Sequence, residues 1–337
     1  MRWIILPILT VAPALTAPAA DAGGKAKLVE VRKIWDRGAH NAFTDLIRFK
    51  GRWLCVFREG TGHVSHDGKA RVIESADGAT WRSAALLSSP CELPDLRDPK
   101  IVATPDGRLM LTTAAASRRT RPSRHRTFAW FSADGRDWGR PTQIGQKDFW
   151  LWRVAWRGRT CYGVGYATAG GRHARLYRSK DGRTFDVLVE RLFEKGFPNE
   201  ASLVFEPDGT ARCLLRRDGR PNSAQLGTAG PPYTKWTWQD LGKRIGGPKL
   251  LRLPDGRLIA AGRRYDGRVR TSLMWLDPRK GELREMLALP SGGDTSYPGL
   301  VLHGGLLWVS YYASHEGKAS VYLAKVKLPI SPPKQSG

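Results

Sequence analysis

The chain reads SADGATW at residues 75–81, SADGRDW at residues 132–138 and SKDGRTF at residues 179–185. All three segments fit the pattern S-x-D-G-x-x-W, which is called the Asp box, with phenylalanine in place of tryptophan in the third. An Asp-Gly pair favours a tight turn between two strands because glycine adopts a positive φ without steric cost. The Asp side chain can accept hydrogen bonds from the amides of the turn, and the aromatic ring can pack under the hairpin. Three copies therefore indicate a hairpin that recurs along the chain.

A second repeat gives the number of units. Turn glycines that precede short strands are Gly51, Gly107, Gly158, Gly209, Gly256 and Gly304. Successive glycines are 56, 51, 51, 47 and 48 residues apart. Six units of about 50 residues fit six blades of four strands each. We therefore predict an all-β fold, a six-bladed β-propeller with Asp-box repeats, which spans residues 28–327 and leaves residues 328–337 as a tail.

Two further features complete this prediction. Degenerate versions of the Asp box occur at Gly227–Trp236 in blade four and at Leu276–Glu282 in blade five. The last strands, Leu307–Tyr312 and Ser320–Val326, finish the ring, and the segment Lys27–Ile34 is expected to supply a closing strand beside them. No linker between the units indicates a second domain.

The N-terminal segment has the features of a signal peptide. Arg2 supplies a positive charge, the stretch Ile4–Leu15 is apolar, and the small residues Ala17–Ala22 provide an A-x-A cleavage site. The apolar stretch is short for a membrane span. We therefore predict that residues 1–22 are removed and that the protein is secreted or periplasmic, with no membrane span.

Charge and cysteine content suggest possible partners. The formal net charge is +24 and is spread along the chain. In an exported protein this favours a glycan, in particular an anionic one, over nucleic acid. The four cysteines show no C-x-x-C spacing, so buried free thiols are expected at Cys55, Cys161 and Cys213. His63, His66 and His315 lack ligand spacing, so neither a metal nor a cofactor is predicted, and the sequence leaves the oligomeric state open.

The phase of the repeats predicts which residues meet on the central axis. Seven residues after a turn glycine lie Arg58, Arg216 and Arg263. Residues that precede or begin the predicted inner strands include Asp45, Arg97, Asp98, Trp152, Arg153, Glu200 and Tyr297. Several arginines could hold an anionic group by charge-assisted hydrogen bonds, and a carboxylate beside a tyrosine could make the phenol a nucleophile. Alternatively, the charged residues form a buried salt-bridge collar that closes the channel.

The Asp boxes, the six-fold phase and the axial arginines resemble those of bacterial sialidases and their sialidase-like relatives. The segment Asn199–Leu203 is similar to the family's glutamate segment, and Tyr297 within Asp294–Pro298 is similar to its nucleophilic tyrosine. The resemblance implies Glu200 as the base of Tyr297 and Asp67, in a blade-one loop, as acid/base. It also implies that Arg216 and Arg263 bind the substrate carboxylate.

One departure from the family concerns the substrate. The Arg-Ile-Pro segment that bears the family's first arginine is replaced by Asn41–Leu46, which contains no arginine. Arg58 and Arg97 are the candidates to replace it. Loss of the family's first arginine makes another uronic or sulfated sugar, or loss of activity, an alternative to sialic acid. Asp45 would lie near the missing arginine and repel a substrate carboxylate, which disfavours sialidase action.

Three functions follow as hypotheses. The first is an exported glycoside hydrolase with Tyr297, Glu200 and Asp67 as the reacting groups. The second is a non-catalytic glycan-binding propeller, which needs the arginines and aromatic residues but not Asp67. The third is a polysaccharide lyase on the same fold. Trp152 either stacks on a sugar ring or packs in the core.

Overall fold

The computed structural model describes residues 25–117 and 124–329. Within these ranges the regular elements are all β-strands, and none of this part of the chain forms a helix that could cross a membrane. The predicted signal peptide, residues 1–22, lies outside the described residues, as does most of the predicted tail. The strands form six separate antiparallel sheets of four strands, which confirms the predicted six-bladed β-propeller.

The first three blades follow one another along the chain. Blade one contains β2 (His40–Phe49), β3 (Arg52–Gly60), β4 (Lys69–Ser75) and β5 (Arg82–Leu87). Blade two contains β6 (Asp95–Ala103), β7 (Leu109–Ser117), β8 (Arg124–Ser132) and β9 (Thr142–Ile144). Blade three contains β10 (Phe149–Arg157), β11 (Thr160–Ala167), β12 (Ala174–Ser179) and β13 (Asp186–Phe193).

The last three blades complete the ring. Blade four contains β14 (Pro198–Phe205), β15 (Ala211–Arg217), β16 (Gln225–Ala229) and β17 (Thr237–Asp240). Blade five contains β18 (Gly246–Arg252), β19 (Leu258–Arg264), β20 (Arg270–Asp277) and β21 (Glu282–Ala288). Blade six contains β22 (Thr295–His303), β23 (Leu306–Ala313), β24 (Ser320–Lys327) and β1 (Lys27–Trp35).

Blade six joins the two ends of the propeller. Strand β1 pairs antiparallel with β24, from Lys27 opposite Lys327 to Trp35 opposite Val321. The closing strand therefore lies where the sequence predicted it. Since β1 precedes blade one in the chain but belongs to blade six, this pairing closes the ring between its first and last strands.

The predicted turn residues adopt the expected conformations. The turn glycines between the first and second strands of the blades all have positive φ, for example 78° at Gly51 and 92° at Gly209. The three S-x-D-G segments connect the third and fourth strands of blades one to three. In the first of them Asp77 Oδ1 accepts hydrogen bonds from the amides of Ala79 at 2.8 Å and Thr80 at 3.0 Å. The carboxylate thus satisfies the amides that the tight turn leaves unpaired.

Most of the apolar core lies between neighbouring blades. Leu54 and Val56 of blade one pack with Leu109 and Leu111 of blade two in one buried cluster, and the other blade interfaces are built in the same way. Cys55, Cys161 and Cys213 are buried free thiols, as predicted. A further buried cluster contains Phe43, Trp152 and Tyr297 of three inner strands, so aromatic packing as well as polar groups is present near the axis.

Candidate active site

Each inner strand is irregular at one equivalent place. In β2, β6, β10, β14, β18 and β22 the pairing with the second strand shifts register. From the residues inside these shifts we take one per blade and call the set the axial ring. Its members are Phe43, Asp98, Trp152, Glu200, Gly247 and Tyr297. Phe43, Asp98 and Tyr297 adopt positive φ values of 66°, 50° and 51°. Such backbone is costly for residues other than glycine and is typical of functional sites, where bulges redirect side chains.

The members of the axial ring contact one another. The ring centroid of Phe43 is 5.0 Å from that of Tyr297, which in turn is 5.8 Å from that of Trp152. Trp152 is buried and donates its indole N–H to Asp98 Oδ2 at 3.0 Å. Trp152 therefore packs against Tyr297 and holds the Asp98 carboxylate in position.

Glu200 and Tyr297 form a buried hydrogen-bonded pair. The Tyr297 hydroxyl donates to Glu200 Oε1, while Glu200 Oε2 accepts from Arg216 at 2.7 Å and from the amide of Gly247 at 2.8 Å. Burial raises the pKa of Glu200, but the Arg216 guanidinium and the hydrogen bonds outweigh it and lower this pKa overall. Burial, followed by the Glu200 charge, raises the pKa of Tyr297. Glu200 is thus an ionised acceptor held against a protonated phenol.

The pair lies in the wall of a cavity of about 720 Å³. The charged side chains that line it, histidines aside, are Asp95, Asp98, Glu200, Asp218, Arg97 and Arg216. Among the lining residues that the structure describes, carboxylates therefore outnumber guanidinium groups by four to two. Trp150 adds an aromatic wall and stacks on His125 at 5.3 Å and on Tyr166 at 5.8 Å between ring centroids.

The three arginines at equivalent repeat positions do not meet in this cavity. Arg58 is fully buried and donates to Asp95 at 2.7 Å, to the Gly62 carbonyl at 2.6 Å and to Ser65 at 2.7 Å. It therefore braces the blade-one loop instead of facing a ligand. Of the three, only Arg216 lines the cavity, and its guanidinium is held by Glu200 and Asp218.

Arg263 also binds within the protein. Its Nε donates to the Thr295 carbonyl at 2.5 Å, and its terminal nitrogen lies 3.0 Å from the Tyr312 hydroxyl and 3.3 Å from Asp294. The predicted three-arginine clamp for a carboxylate is thus absent from the cavity, because acceptors of the neighbouring blades occupy Arg58 and Arg263.

Asp45 and Arg153 form a buried ion pair. It is of the kind expected if the charged axial residues make a salt-bridge collar instead of a binding site. Arg153 donates to Asp45 at 2.6 Å, and Lys249 lies 3.5 Å from the other carboxylate oxygen. Burial raises the pKa of Asp45, but the charges of Arg153, Lys249 and Lys100 outweigh it and lower this pKa to about 2. Neither Asp45 nor Arg153 is among the described residues that line the cavity.

Arg97 and Asp98 face the cavity with unused polar atoms. Arg97 Nε and Asp98 Oδ1 are buried and find no hydrogen-bond partner among the described residues, and both side chains line the cavity. A buried polar group without a partner costs about 1–3 kcal/mol. A donor and an acceptor left open in one cavity are suited to the hydroxyl groups of a sugar.

Asp67 lies in the predicted blade-one loop, but its carboxylate turns towards the loop itself. It accepts hydrogen bonds from the Thr61 amide at 3.1 Å and the Thr61 hydroxyl at 3.0 Å. Burial raises the pKa of Asp67, but hydrogen bonds from Ser65 and Thr61 together outweigh it, so this pKa is lowered overall. The neighbouring Ser65 and His66 line the cavity, whereas Asp67 is not among the described lining residues.

Sequence reasoning missed several lining residues. Asp95 begins β6 just before Arg97 and Asp98, and Asp218 directly follows β15, which carries Arg216. Both lie within three residues of predicted axial residues in the sequence, and this could have identified them. Tyr166, near the end of β11, carried no such signal because its position depends on the stacking against Trp150.

No protein-family model matches the chain, and no curated protein matches it. A protein of unknown function from Dyadobacter fermentans has a TM-score of 0.80 at 19% identity, over 90% of this chain and 100% of its own. An α-L-arabinofuranosidase from Fusarium graminearum, solved with an iminosugar inhibitor, has a TM-score of 0.73 at 12% identity, over 90% and 99%. A Trypanosoma rangeli sialidase mutant with trans-sialidase activity has a TM-score of 0.64 at 13% identity, over 86% and 54%. The chain thus shares its six-bladed fold with glycoside hydrolases.

Proposed function

We propose that the protein is a glycoside hydrolase whose reaction centre is the Glu200–Tyr297 pair. The observation that carries the proposal is the buried hydrogen bond from the Tyr297 hydroxyl to Glu200 in the cavity wall. Arg216 and the Gly247 amide hold the second oxygen of Glu200, so the carboxylate is oriented before substrate binds. Pre-oriented groups of this kind lower the cost of reaching the reactive geometry.

The proposed reaction retains the configuration of the sugar. Tyr297 oxygen attacks the anomeric carbon while its proton passes to Glu200, and the glycosidic oxygen leaves with a proton from a carboxylic acid. Water then attacks the anomeric carbon of the tyrosyl intermediate and gives a proton to that same carboxylate. Tyr297 leaves and recovers its proton from Glu200. Asp67, implied by the sialidase resemblance, and Asp98, in the cavity wall, compete for the role of the acid.

The proposed substrate is an uncharged sugar. Four carboxylates and two guanidinium groups line the cavity, and Arg216 is already paired with Glu200 and Asp218. Among the described lining residues, a carboxylate or sulfate on the substrate would meet more negative than positive groups, and Arg97, whose Nε has no partner, is the guanidinium left to pair with it. This reading replaces the anionic glycan expected from the net charge, and it disfavours a lyase, which needs the acidic proton beside a uronate group.

Export belongs to the same proposal. Arg2, the apolar stretch Ile4–Leu15 and the small residues after it support a cleaved signal peptide, which would carry the enzyme to polymeric glycans outside the cytoplasm.

A screen with aryl glycosides tests the proposal. The panel contains neutral pentofuranosides and hexopyranosides together with an α-sialoside. Turnover of a neutral glycoside is expected, and Tyr297→Phe should lower kcat by about 10³-fold or more because the nucleophile is lost. Tyr311→Phe is the matched control, since it removes a phenol that donates to the Pro290 carbonyl at 2.8 Å outside the cavity.

Covalent labelling identifies the attacking atom. A 2-deoxy-2-fluoro glycosyl fluoride of the accepted sugar should label the peptide that contains Tyr297. Label on Glu200 would reassign the nucleophile to the carboxylate, and full activity of Tyr297→Phe would end the tyrosine assignment. Binding without turnover across the panel would favour a glycan-binding propeller, and unsaturated products that absorb in the ultraviolet would favour a lyase.

A further inference from the structure

Three residues from distant parts of the chain meet beside the cavity. His40 begins β2 in blade one, His63 lies in the loop of residues 61–68 between β3 and β4, and Asp294 directly precedes β22 in blade six. His63 Nδ1 is 2.6 Å and His40 Nε2 is 3.1 Å from the same oxygen, Asp294 Oδ2. One nitrogen of each imidazole and one carboxylate oxygen all lie within 4.8 Å of one another.

We propose that the His40–His63–Asp294 cluster binds a divalent transition-metal ion such as Zn²⁺. Two imidazole nitrogens and one carboxylate oxygen are a common zinc donor set, and a water molecule would take the fourth position. Metal–ligand bonds of about 2.0–2.1 Å place tetrahedral donors roughly 3.3 Å apart. The two His–Asp distances, 2.6 and 3.1 Å, differ from that spacing by less than about 1 Å, and the two imidazole nitrogens lie within 4.8 Å of each other.

The groups around the cluster orient the carboxylate. The other oxygen of Asp294 accepts from the Tyr312 hydroxyl at 2.7 Å and from Arg263 at 3.3 Å. Hydrogen bonds of this kind fix the orientation of a ligating carboxylate. Arg263 also brings a positive charge near the site, which weakens cation binding and is offset by the charge of Asp294.

The position of the cluster gives an ion access from solvent and links the ion to the cavity wall. The His63 side chain is 48% exposed, so an ion can reach the cluster from solvent, whereas His40 is 12% exposed and fixed in β2. The loop that carries His63 also carries Ser65 and His66, which line the cavity. A bound ion would therefore fasten this cavity wall to blade six. Phe43 lies between His63 and Tyr297, with centroid distances of 5.0 Å to each, so the ion would order the loop rather than touch the reacting atoms.

Cobalt binding to the full-length protein tests the proposal, with no need for a substrate. Titration of chelator-treated protein with Co²⁺ should give visible absorption bands of a low-coordinate ion and one bound equivalent. His63→Ala and Asp294→Asn should each weaken binding by at least tenfold. His315→Ala is the control, because His315 is a partly exposed loop histidine outside the cluster.

The outcomes are distinct from those of the catalytic proposal. Added Zn²⁺ should raise the Tm of the wild type and of His315→Ala but not that of His63→Ala. A wild type that binds Co²⁺ no better than His63→Ala, or shows no Tm shift with Zn²⁺, would overturn the metal site. The cluster would then be a hydrogen-bonded link between the blade-one loop and blade six.

Discussion

Asp98 differs from the other carboxylates of the cavity in its hydrogen bonding. Glu200 is held by Arg216, Asp95 by Arg58 and Asp218 by Arg216, whereas Asp98 Oδ1 has no partner among the described residues. Its other oxygen accepts the Trp152 indole N–H, which fixes the carboxyl group without neutralising it. A proton carried on Oδ1 would be available to a leaving group in the cavity.

Substitution of the two acid candidates separates them at the level of single residues. We expect Asp98→Asn to lower kcat by about 10²–10⁴-fold on a glycoside with a poor leaving group, as for loss of a general acid. With a dinitrophenyl leaving group, which departs without protonation, the loss should be much smaller. Asp67→Asn serves as the comparison and should affect both substrates to the same small degree. If Asp67→Asn instead loses activity mainly on the poor leaving group and Asp98→Asn loses little on either substrate, Asp67 is the acid.

For the axial arginines, the sequence predicts the position in the blade but not the hydrogen-bond partners. Counting from the turn glycines places Arg58, Arg216 and Arg263 at one position of their blades, and the resemblance to sialidases pairs Glu200 with Tyr297. The hydrogen-bonded pair agrees with this expectation. The arginine partners could not be predicted, because Asp95, which holds Arg58, and Thr295, which holds Arg263, belong to the following blade.

At the scale of strands and turns, blades four and five each show part of the hydrogen bonding of the three S-x-D-G segments. In blade five Asp277 Oδ1 accepts from the amides of Arg279 at 2.9 Å and Lys280 at 3.1 Å, as Asp77 does from Ala79 and Thr80 in blade one. In blade four the indole N–H of Trp236 donates to the Tyr233 carbonyl at 2.8 Å, like Trp81 to Gly78 in blade one. Blade five thus shows the aspartate part of these contacts and blade four the tryptophan part.

The irregularity of β18 allows a test of how the strand positions the reaction centre. Gly247 has a φ of +59°, and an added Cβ would lie 2.8 Å from Tyr297 Cδ2 and 2.9 Å from Ser296 Oγ. Gly247→Ala should therefore displace Tyr297 and lower kcat by about 10²-fold, since a shift of about 1 Å at a reacting group has this effect. Kinetics and urea unfolding of the same samples provide the measurement.

Gly267→Ala is the matched control for that variant. Gly267 lies in the same blade with a φ of +71°, and an added Cβ would meet no atom within 4 Å. Both variants suffer similar backbone strain, about 1 kcal/mol. Equal activity in the two variants would show that the position of the Tyr297 ring is not set by Gly247.

Local chemistry explains why turns were predictable and the strand irregularities were not. An Asp-Gly turn is determined by the residues within it, so its pattern is visible in the sequence. The register shifts that place Phe43, Asp98 and Tyr297 on the axis depend on pairing with a second strand and on packing around the ring. Pro99, Pro248 and Pro298 lie within three of the six shifts and were a partial signal, since proline within a sheet is found at bulges or edges.

For the whole molecule, the pairing of β1 with β24 joins the beginning of the propeller to its end. Val31 and Leu28 of β1 pack against the buried cluster between blades five and six. Without β1, the β24 edge would present unpaired backbone groups and this cluster would be exposed.

Deletion of the closing strand tests this dependence. Removal of residues 1–35 should lower the Tm by about 10 °C or more and favour aggregation, because several kcal/mol of packing and pairing are lost. Removal of residues 1–22, the predicted signal peptide, is the control and should shift the Tm by less than about 1 °C. Thermal unfolding followed by circular dichroism gives both values. Equal Tm values for the two deletions would mean that the ring is stable without the β1–β24 pairing.

The number of blades followed from the sequence, but the contacts across the ring did not. Positions 40, 63 and 294 carry no common motif, and only closure of the propeller brings His40 and His63 against Asp294. The net charge of +24 likewise gave no guide to the cavity, since the charged lining residues that the structure describes are mostly carboxylates.

The axial ring also bears on how new specificities could arise. Its six members lie on six separate blades, so their codons are spaced along the whole gene rather than clustered. Recombination between genes of related propellers, with crossovers in the inter-blade segments, would exchange ring members one at a time while each blade keeps its own turns. Directed evolution by blade shuffling would therefore sample combinations at the reaction centre, and the apolar contacts between neighbouring blades would decide which combinations fold.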